Sequence, residues 1–198
     1  MKHFYIFSFL VFLVLLGAGC NTSQARIDSP MLGSKDAPLQ LVEWFDFQCP
    51  ACKQYESAVM QFVIEDYVNT GKASLTYKNM AFIGNESVIA ANAALCAAEA
   101  GKYAEYHTNL YEEQGGENQG TFTKDALANW GKDLGIDIKQ CILDNKYGGQ
   151  VRAELREAGS LGVNGTPTIF LNGKLIKTPS SYIAMKTFLD DEYSKIKK

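Results

Sequence analysis

Two cysteines, Cys49 and Cys52, flank a Pro-Ala pair in the stretch "FDFQCPACKQYE", which begins at Phe45. Thiols at this spacing can bind a metal, form a small disulfide or exchange electrons with other thiols. A structural zinc site needs four ligands, usually from paired Cys or His clusters, but the sequence has two histidines and no second Cys-x-x-Cys. A disulfide across two residues closes a loop too short to constrain the unfolded chain much. Redox chemistry therefore fits best, and we predict neither a metal site nor a cofactor.

The segments around the two cysteines predict a strand followed by a helix. Residues 39–45 ("LQLVEWF") are apolar, short and preceded by Pro38, which is typical of a buried strand. Apolar residues then recur at helical spacing until "NTG" at residues 69–71. Cys49 would open this helix, where the helix dipole and unpaired backbone N–H groups lower the pKa of a thiol. We therefore predict Cys49 as the nucleophile and Cys52, one turn further on, as the resolving thiol.

The rest of the pattern predicts an α/β chain. Residues 73–79 alternate apolar and polar side chains, as a half-buried strand does, and residues 85–160 have a helical pattern throughout. Residues 168–171 and 174–177 flank Asn172-Gly173, a strong hairpin signal, and a helix closes the chain. The initial strand–helix–strand order indicates a parallel pair with a crossover helix.

A second candidate element of the site is Thr166-Pro167, directly before the strand at residues 168–171. About one X–Pro bond in twenty is cis in folded proteins, so the residues alone leave this isomer open. A cis bond would turn the backbone of Thr166 toward the cysteines, where an extended substrate could pair with it. We expect a parallel sheet to bring the end of strand 39–45 near the start of strand 168–171. This arrangement would place Pro167 against Cys49.

The stretches "LVEWFDFQCPAC" and "GVNGTPTIFLNG" together resemble the DsbA-like thioredoxin-fold disulfide oxidoreductases, which include the BdbD-type proteins of Gram-positive bacteria. The likeness begins at Pro38 and extends to about Ile196. It implies a thioredoxin fold with an inserted helical domain. The thioredoxin-like domain would comprise residues 38–84 and 161–198, and the insertion would comprise residues 85–160.

The resemblance also assigns site residues. The family's redox-active disulfide falls on Cys49 and Cys52, its cis-proline loop falls on Thr166-Pro167, and its acidic residue on the preceding strand falls on Glu43. One position departs from the pattern, because Ala51 stands where the best-known oxidase of the family has histidine. That histidine helps to make the oxidase strongly oxidising, so the departure leaves the redox poise of this chain open.

Glu43 lies within the apolar stretch "LVEWF" at residues 41–45, which favours burial. A buried carboxyl group has a raised pKa and could exchange protons with Cys52. The alternative is a partly exposed, hydrogen-bonded acid that has no role in the reaction.

The amino terminus predicts an export signal. Residues 1–19 carry a short positive start and an apolar core that is short for a membrane span. Small residues before Cys20 resemble the lipobox of bacterial lipoproteins, although Gly17 stands where that motif prefers leucine. We expect lipidation of Cys20 and a polar tether over residues 20–37, with an uncleaved anchor or an ordinary signal peptide as alternatives. All three place the domain outside the cytoplasm.

The other two cysteines, Cys96 and Cys141, lie on different predicted helices. In an oxidising compartment we expect them to form a structural disulfide, with two buried free thiols as the alternative. Closing a loop of about 45 residues stabilises a protein by roughly 4 kcal/mol in the chain-entropy model. His107 lies among tyrosines and is interpreted as a packing residue.

Together these features predict an extracytoplasmic, lipid-anchored enzyme that donates disulfides to secreted or envelope proteins. The family implies a membrane reoxidase of the DsbB or BdbC type as its partner. Two alternatives remain, a reductase or isomerase that uses the same residues and a non-catalytic binding lipoprotein. The net charge is −3 and there is no basic cluster, which argues against nucleic acid as a partner.

Overall fold

The computed structural model describes residues 25–196. A five-stranded sheet forms the centre of this part of the chain, with the strand order β1-β3-β2-β4-β5. The strands are β1 (Met31–Leu32), β2 (Leu39–Phe45), β3 (Ala73–Asn79), β4 (Thr168–Leu171) and β5 (Lys174–Leu175). The α/β fold class is confirmed.

The central strand β2 pairs on both sides, and five of its seven residues are buried. It runs parallel to β3, with Phe45 opposite Asn79 at the end of the strand. It runs antiparallel to β4, with Trp44 opposite Thr168. The expected parallel arrangement of β2 and β4 is therefore wrong. The antiparallel arrangement itself brings the end of one strand beside the start of the other, so the two segments still meet.

The predicted hairpin joins β4 to a strand shorter than expected, Lys174–Leu175. Asn172 and Gly173 form the turn with φ of 48° and 76°. Positive φ at both positions is what a type I′ hairpin turn requires, and Asn-Gly is favoured there for this reason.

Helix α1 occupies residues 50–68 directly after β2 and alternates between two helical forms. It is α-helical over Pro50–Tyr55 and Gln61–Val63 and π-helical over Glu56–Met60 and Ile64–Val68. π-Helical turns are rare and occur frequently at functional sites. The first of them begins at Glu56, one turn after Cys52.

The region between β3 and β4 is helical, and its central helix packs against the other four. That central helix is rich in alanine, whose small side chain allows close approach, and most of its residues are buried. The larger of two core clusters continues from the sheet into these helices. The helices are α2 (Asn85–Glu99), α3 (Tyr103–Glu112), α4 (Lys124–Asp133), α5 (Lys139–Leu143) and α6 (Gly148–Ser160), and α7 (Tyr182–Ile196) closes the chain.

The amino-terminal segment contributes more to the fold than its polar sequence indicated. Within the predicted tether, β1 pairs antiparallel with β3, with Met31 opposite Thr76. The predicted signal peptide and Cys20 lie outside the described residues. Over residues 25–196, no helix has both the length and the apolar character needed to cross a membrane.

Candidate active site

Cys49 caps the amino terminus of α1, and Pro50 occupies the first helical position. Proline is favoured there because its missing N–H has no partner inside the helix. Cys49 is 7% exposed, whereas Cys52 is fully buried. Both are free thiols in this structure. The end of a buried strand and the start of a helix therefore position both sulfur atoms.

The two thiols differ in acidity because their surroundings differ. A hydrogen bond from Cys52 is the main cause that lowers the pKa of Cys49 to about 6, and Thr166 and the backbone of Cys52 and Ala51 add to it. Burial opposes this shift. For Cys52, burial is the main cause and raises the pKa well above the ordinary value for a thiol. At neutral pH the arrangement holds Cys49 as a thiolate and Cys52 as a thiol.

The Thr166–Pro167 loop lies against Cys49 although it is distant in sequence. The Cys49 Sγ atom is 3.5 Å from the carbonyl oxygen of Thr166, and the Thr166–Pro167 peptide bond is cis. The Oγ1 atom of Thr166 has no hydrogen-bond partner within residues 25–196. Thus the structure brings together the cysteine pair and the proline loop that the sequence singled out.

Glu43 is fully buried on β2. Neither of its carboxylate oxygens has a hydrogen-bond partner among the described residues. Burial raises the pKa of Glu43, and the neighbouring charge of Glu56 raises it further. Burial likewise raises the pKa of Glu56. The two carboxyl groups therefore form a buried pair that favours retention of a proton.

Sequence reasoning missed Glu56. It lies four residues after Cys52, a spacing that places two side chains on the same face of a helix, and this spacing was the available signal. His107, on α3, was interpreted as a packing residue, and its ring does contact those of Phe45, Tyr77 and other aromatic residues. Its Nε2 atom is also 3.6 Å from Oε1 of Glu56. Burial lowers the pKa of His107 to about 3, so the imidazole is neutral.

The helical region also holds the start of α1 in place, which sequence reasoning did not foresee. The Nε2 atom of Gln114 donates to the carbonyl oxygens of Phe47 and Cys49, at 2.5 Å and 3.2 Å. The Nζ atom of Lys53 donates to the carbonyls of Glu112 and Gln114. These contacts fix the loop that carries Cys49.

Away from this site, a disulfide joins Cys96 on α2 to Cys141 on α5, with an S–S distance of 1.97 Å and a Cα–Cα distance of 6.0 Å. It therefore crosslinks two helices of the helical region. Within the described part of the chain, no group of His, Cys, Asp and Glu side chains is arranged to hold a metal ion.

Comparisons with known proteins found similar sequences and similar structures. A family model described as thioredoxin matches residues 25–191. A Bacillus anthracis protein named "Probable disulfide bond formation protein D" is 30% identical over 171 residues, which cover 83% of this chain and 78% of that protein. The crystal structure of oxidised BdbD from Bacillus subtilis superposes with a TM-score of 0.78 at 27% identity, covering 84% of this chain and 93% of that one.

A DsbA structure from Chlamydia trachomatis shares the fold, with a TM-score of 0.72 at 23% identity, and covers 84% of this chain and 92% of that one. The extent of the family match and the identity to the curated relative place the chain within a known group. The chain belongs to the DsbA-like, thioredoxin-fold family of disulfide bond formation proteins, and it is a thiol–disulfide oxidoreductase.

Proposed function

We propose that the protein acts as an oxidase, which donates the disulfide formed by Cys49 and Cys52 to protein thiols outside the cytoplasm. The observation that carries this proposal is the lowered pKa of Cys49, to about 6. A stabilised thiolate stabilises the reduced enzyme relative to its disulfide. A stabilised reduced form makes a disulfide a stronger oxidant.

In the proposed reaction, a substrate thiolate attacks Sγ of Cys49 in the oxidised enzyme. The bond between the two enzyme sulfurs breaks, and Cys52 leaves with the electron pair and takes up a proton. A second substrate thiolate then attacks the substrate sulfur of the mixed disulfide and releases Cys49 as a thiolate. Two electrons thereby pass from the substrate to the enzyme, and the substrate gains a disulfide.

The surroundings of Cys52 support donation over retention of the disulfide. Burial raises the pKa of this thiol, so in the mixed disulfide it remains protonated and attacks Cys49 slowly. A second substrate thiol then has time to complete the reaction. In this role Glu43 supplies or accepts the proton of Cys52, while the backbone of Thr166 pairs with the substrate chain and Pro167 offers no N–H toward the sulfur.

The reduction potential tests the direction of the reaction. We expect a value closer to about −120 mV, typical of a strong oxidant, than to about −270 mV, typical of a reductase. The oxidised protein should also restore activity to reduced, unfolded RNase. A potential near the lower value, with insulin reduction but no RNase refolding, would instead assign a reductase.

The location and partners belong to the same proposal. Export through residues 1–19 and lipidation of Cys20 would hold the enzyme at the membrane beside a DsbB- or BdbC-like reoxidase and its reduced secreted substrates. If Cys20 is lipidated, Cys20→Ala should release the protein from membranes or block processing. Unchanged membrane association with an intact leader would favour a simple amino-terminal anchor.

A further inference from the structure

The segment that precedes β1, residues 25–30, is fastened to the folded domain, and we call it the strap. Ala25 and Ile27 pack against the hydrophobic core, whereas the residues that alternate with them are exposed. The backbone N–H of Ile27 donates to Oε1 of Gln150, at 3.0 Å. Because the strap is packed and hydrogen-bonded, the chain before residue 25 leaves the domain at a fixed point.

The direction of β1 decides at which end of the sheet this point lies. β1 is antiparallel to β3, and Met31 lies opposite Thr76. One residue earlier, the carbonyl oxygen of Pro30 accepts from the backbone N–H of Tyr77, at 2.8 Å. Read toward the amino terminus, the strap therefore continues toward the carboxyl end of β3.

Buried hydrogen bonds join the strap to the last residue of β3. Gln150, which accepts from Ile27, donates through Nε2 to Oε1 of Glu154, at 3.0 Å. Oε2 of Glu154 accepts from the backbone N–H and the side-chain amide of Asn79, at 2.9 Å and 2.8 Å. Gln150, Glu154 and Asn79 are all buried. Detaching the strap would leave buried polar groups unpaired, at a cost of about 1–3 kcal/mol each.

The carboxyl end of β3 is also the active-site end of the sheet. β2 and β3 are parallel, with Phe45 opposite Asn79, and Cys49 follows shortly after Phe45. At the opposite end β2 begins, and Lys35 lies in the turn before it. β2 has seven residues, and at about 3.3 Å per residue its two ends lie about 20 Å apart. The strap therefore leaves the domain at the end that carries the cysteine pair.

The connection from the strap to an anchor at Cys20 is short compared with the domain. From position 20 to position 25 the chain makes five residue steps, which span at most about 18 Å when fully extended. A compact domain of about 170 residues, the described length, has a radius of gyration of about 16 Å and is therefore about 40 Å across. The connection is too short to pass around the domain.

We propose that the strap orients the domain at the membrane, with the active-site end of the sheet nearest the bilayer. A membrane-bound partner that presents a thiol or a disulfide at the membrane surface then meets Cys49 while the enzyme stays anchored. This inference rests on the proposed function at one point, the membrane anchor, and is independent of the direction of disulfide exchange. An uncleaved anchor over residues 1–19 fixes the same orientation as a lipid on Cys20.

Energy transfer to the membrane surface tests this orientation in the full chain. A fluorescent amino acid replaces Gln119 in one variant and Lys35 in another, since both side chains are exposed. Gln119 follows closely on Gln114, which donates to the Cys49 carbonyl. Each anchored protein is placed in phosphatidylcholine–phosphatidylglycerol vesicles that carry an acceptor dye on a lipid headgroup. We expect stronger transfer from position 119, because that probe lies closer to the bilayer by up to about 20 Å.

The length of the connection provides the matched comparison. Insertion of about twenty Gly and Ser residues after Thr22 adds a flexible segment with a mean end-to-end distance of about 25 Å. The difference in transfer between the two probes should then shrink, with an unchanged melting temperature, because the domain can rotate. The same segment added after Lys198 should leave the difference as in the wild type.

Equal transfer from the two positions in the membrane-bound wild type, or stronger transfer from position 35, would overturn the orientation. A wild-type protein that does not stay on the vesicles would overturn it as well, because no anchor would then fix the domain. The reduction potential, measured on the same protein, decides the oxidase role separately. Failure of the orientation and failure of the proposed function therefore give different results.

Discussion

The two sides of the active site shift the pKa of a cysteine thiol in opposite directions. On the front, Cys49 lies at the start of a helix beside the Thr166–Pro167 loop, and the pKa of its thiol is lowered to about 6. At the back, one helical turn away, burial raises the pKa of Cys52. Position in the fold, and not residue type, therefore assigns the roles of attacking and resolving thiol. Substitutions on one side therefore test whether the thiol on the other side is affected.

Replacing either cysteine should have the largest effect on disulfide exchange, and the two replacements should have different outcomes. Cys49→Ser should abolish disulfide exchange, because the remaining thiol is buried and protonated at neutral pH. Cys52→Ser should still react with substrate but should accumulate mixed disulfides, since the resolving sulfur is absent. Non-reducing gels of cell extracts and an insulin-reduction assay measure both outcomes. Trapped partners in Cys49→Ser, carried by Cys52, would reverse the two assignments.

A substitution of Pro167 tests whether the Thr166–Pro167 loop contributes to the front side, next to Cys49. Pro167→Thr introduces a backbone N–H close to the Cys49 sulfur, so we expect substrate release to slow more than the fold is harmed. The variant should accumulate mixed disulfides through Cys49 in cells, visible on non-reducing gels. The double variant with Cys49→Ala is the control and should show none. Normal turnover by a folded Pro167→Thr protein would remove this loop from the site.

The pKa difference itself can be measured by iodoacetamide labelling of the reduced protein. Labelling of Cys49 should be half-maximal at about pH 6, well below the value of about 8.5 for a free cysteine. Because the hydrogen bond from Cys52 is the main cause of this shift, Cys52→Ala should move the midpoint upward. A midpoint near 8.5 in the wild type, or faster labelling of Cys52, would contradict the comparison.

Much of the front side could be predicted from the sequence because its signals are local. A buried strand of seven residues, a cysteine at its end and a proline at the first helical position define the nucleophile within a single stretch. The family resemblance identified the proline loop, whereas the residues alone left the isomer of its Thr166–Pro167 bond open. Its contact with Cys49 follows once that strand is known to lie beside β2.

The back side was harder to predict because its contacts join distant segments. Glu56 and His107 meet only when α3 packs against α1, and nothing near His107 in the sequence points to a carboxyl group. The π-helical turn that begins at Glu56 likewise leaves no clear mark in the residue pattern. β1 was missed for another reason, because a pair of residues that adds an edge to a sheet is too short to show periodicity.

The disulfide of the helical region tests whether the stability of that region and thiol exchange at Cys49 are independent. Cys96→Ser removes a crosslink between positions 45 residues apart, which should lower the stability by up to about 4 kcal/mol in the chain-entropy model. Since this bond lies away from the thiols, exchange at Cys49 should be largely unchanged below the melting temperature. Calorimetry and insulin reduction test the two halves of the prediction. Alkylation of Cys96 and Cys141 in the non-reduced wild type, located by mass spectrometry of the peptides, would refute the bond.

Gln114 should give the smallest effect, and it connects the helical region to the front side. Its amide donates to the carbonyl oxygens of Phe47 and Cys49, and the Cys49 carbonyl also accepts from the backbone of Lys53. Gln114→Ala would remove both side-chain bonds. Phe47 would then lose the stronger of them, at a cost of about 1–3 kcal/mol for an unpaired buried group.

The matched control is Gln119→Ala in the same loop, because within residues 25–196 the Gln119 side chain donates to the nearby carbonyl of Glu117 alone. If Gln114 serves to hold the loop that carries Cys49, Gln114→Ala should lower the melting temperature and also shift the midpoint of Cys49 labelling, while Gln119→Ala changes neither. A lower melting temperature with an unchanged midpoint would show that the start of α1 positions Cys49 without help from the helical region. The acidity of the front thiol would then be a property of the strand, helix and proline loop alone.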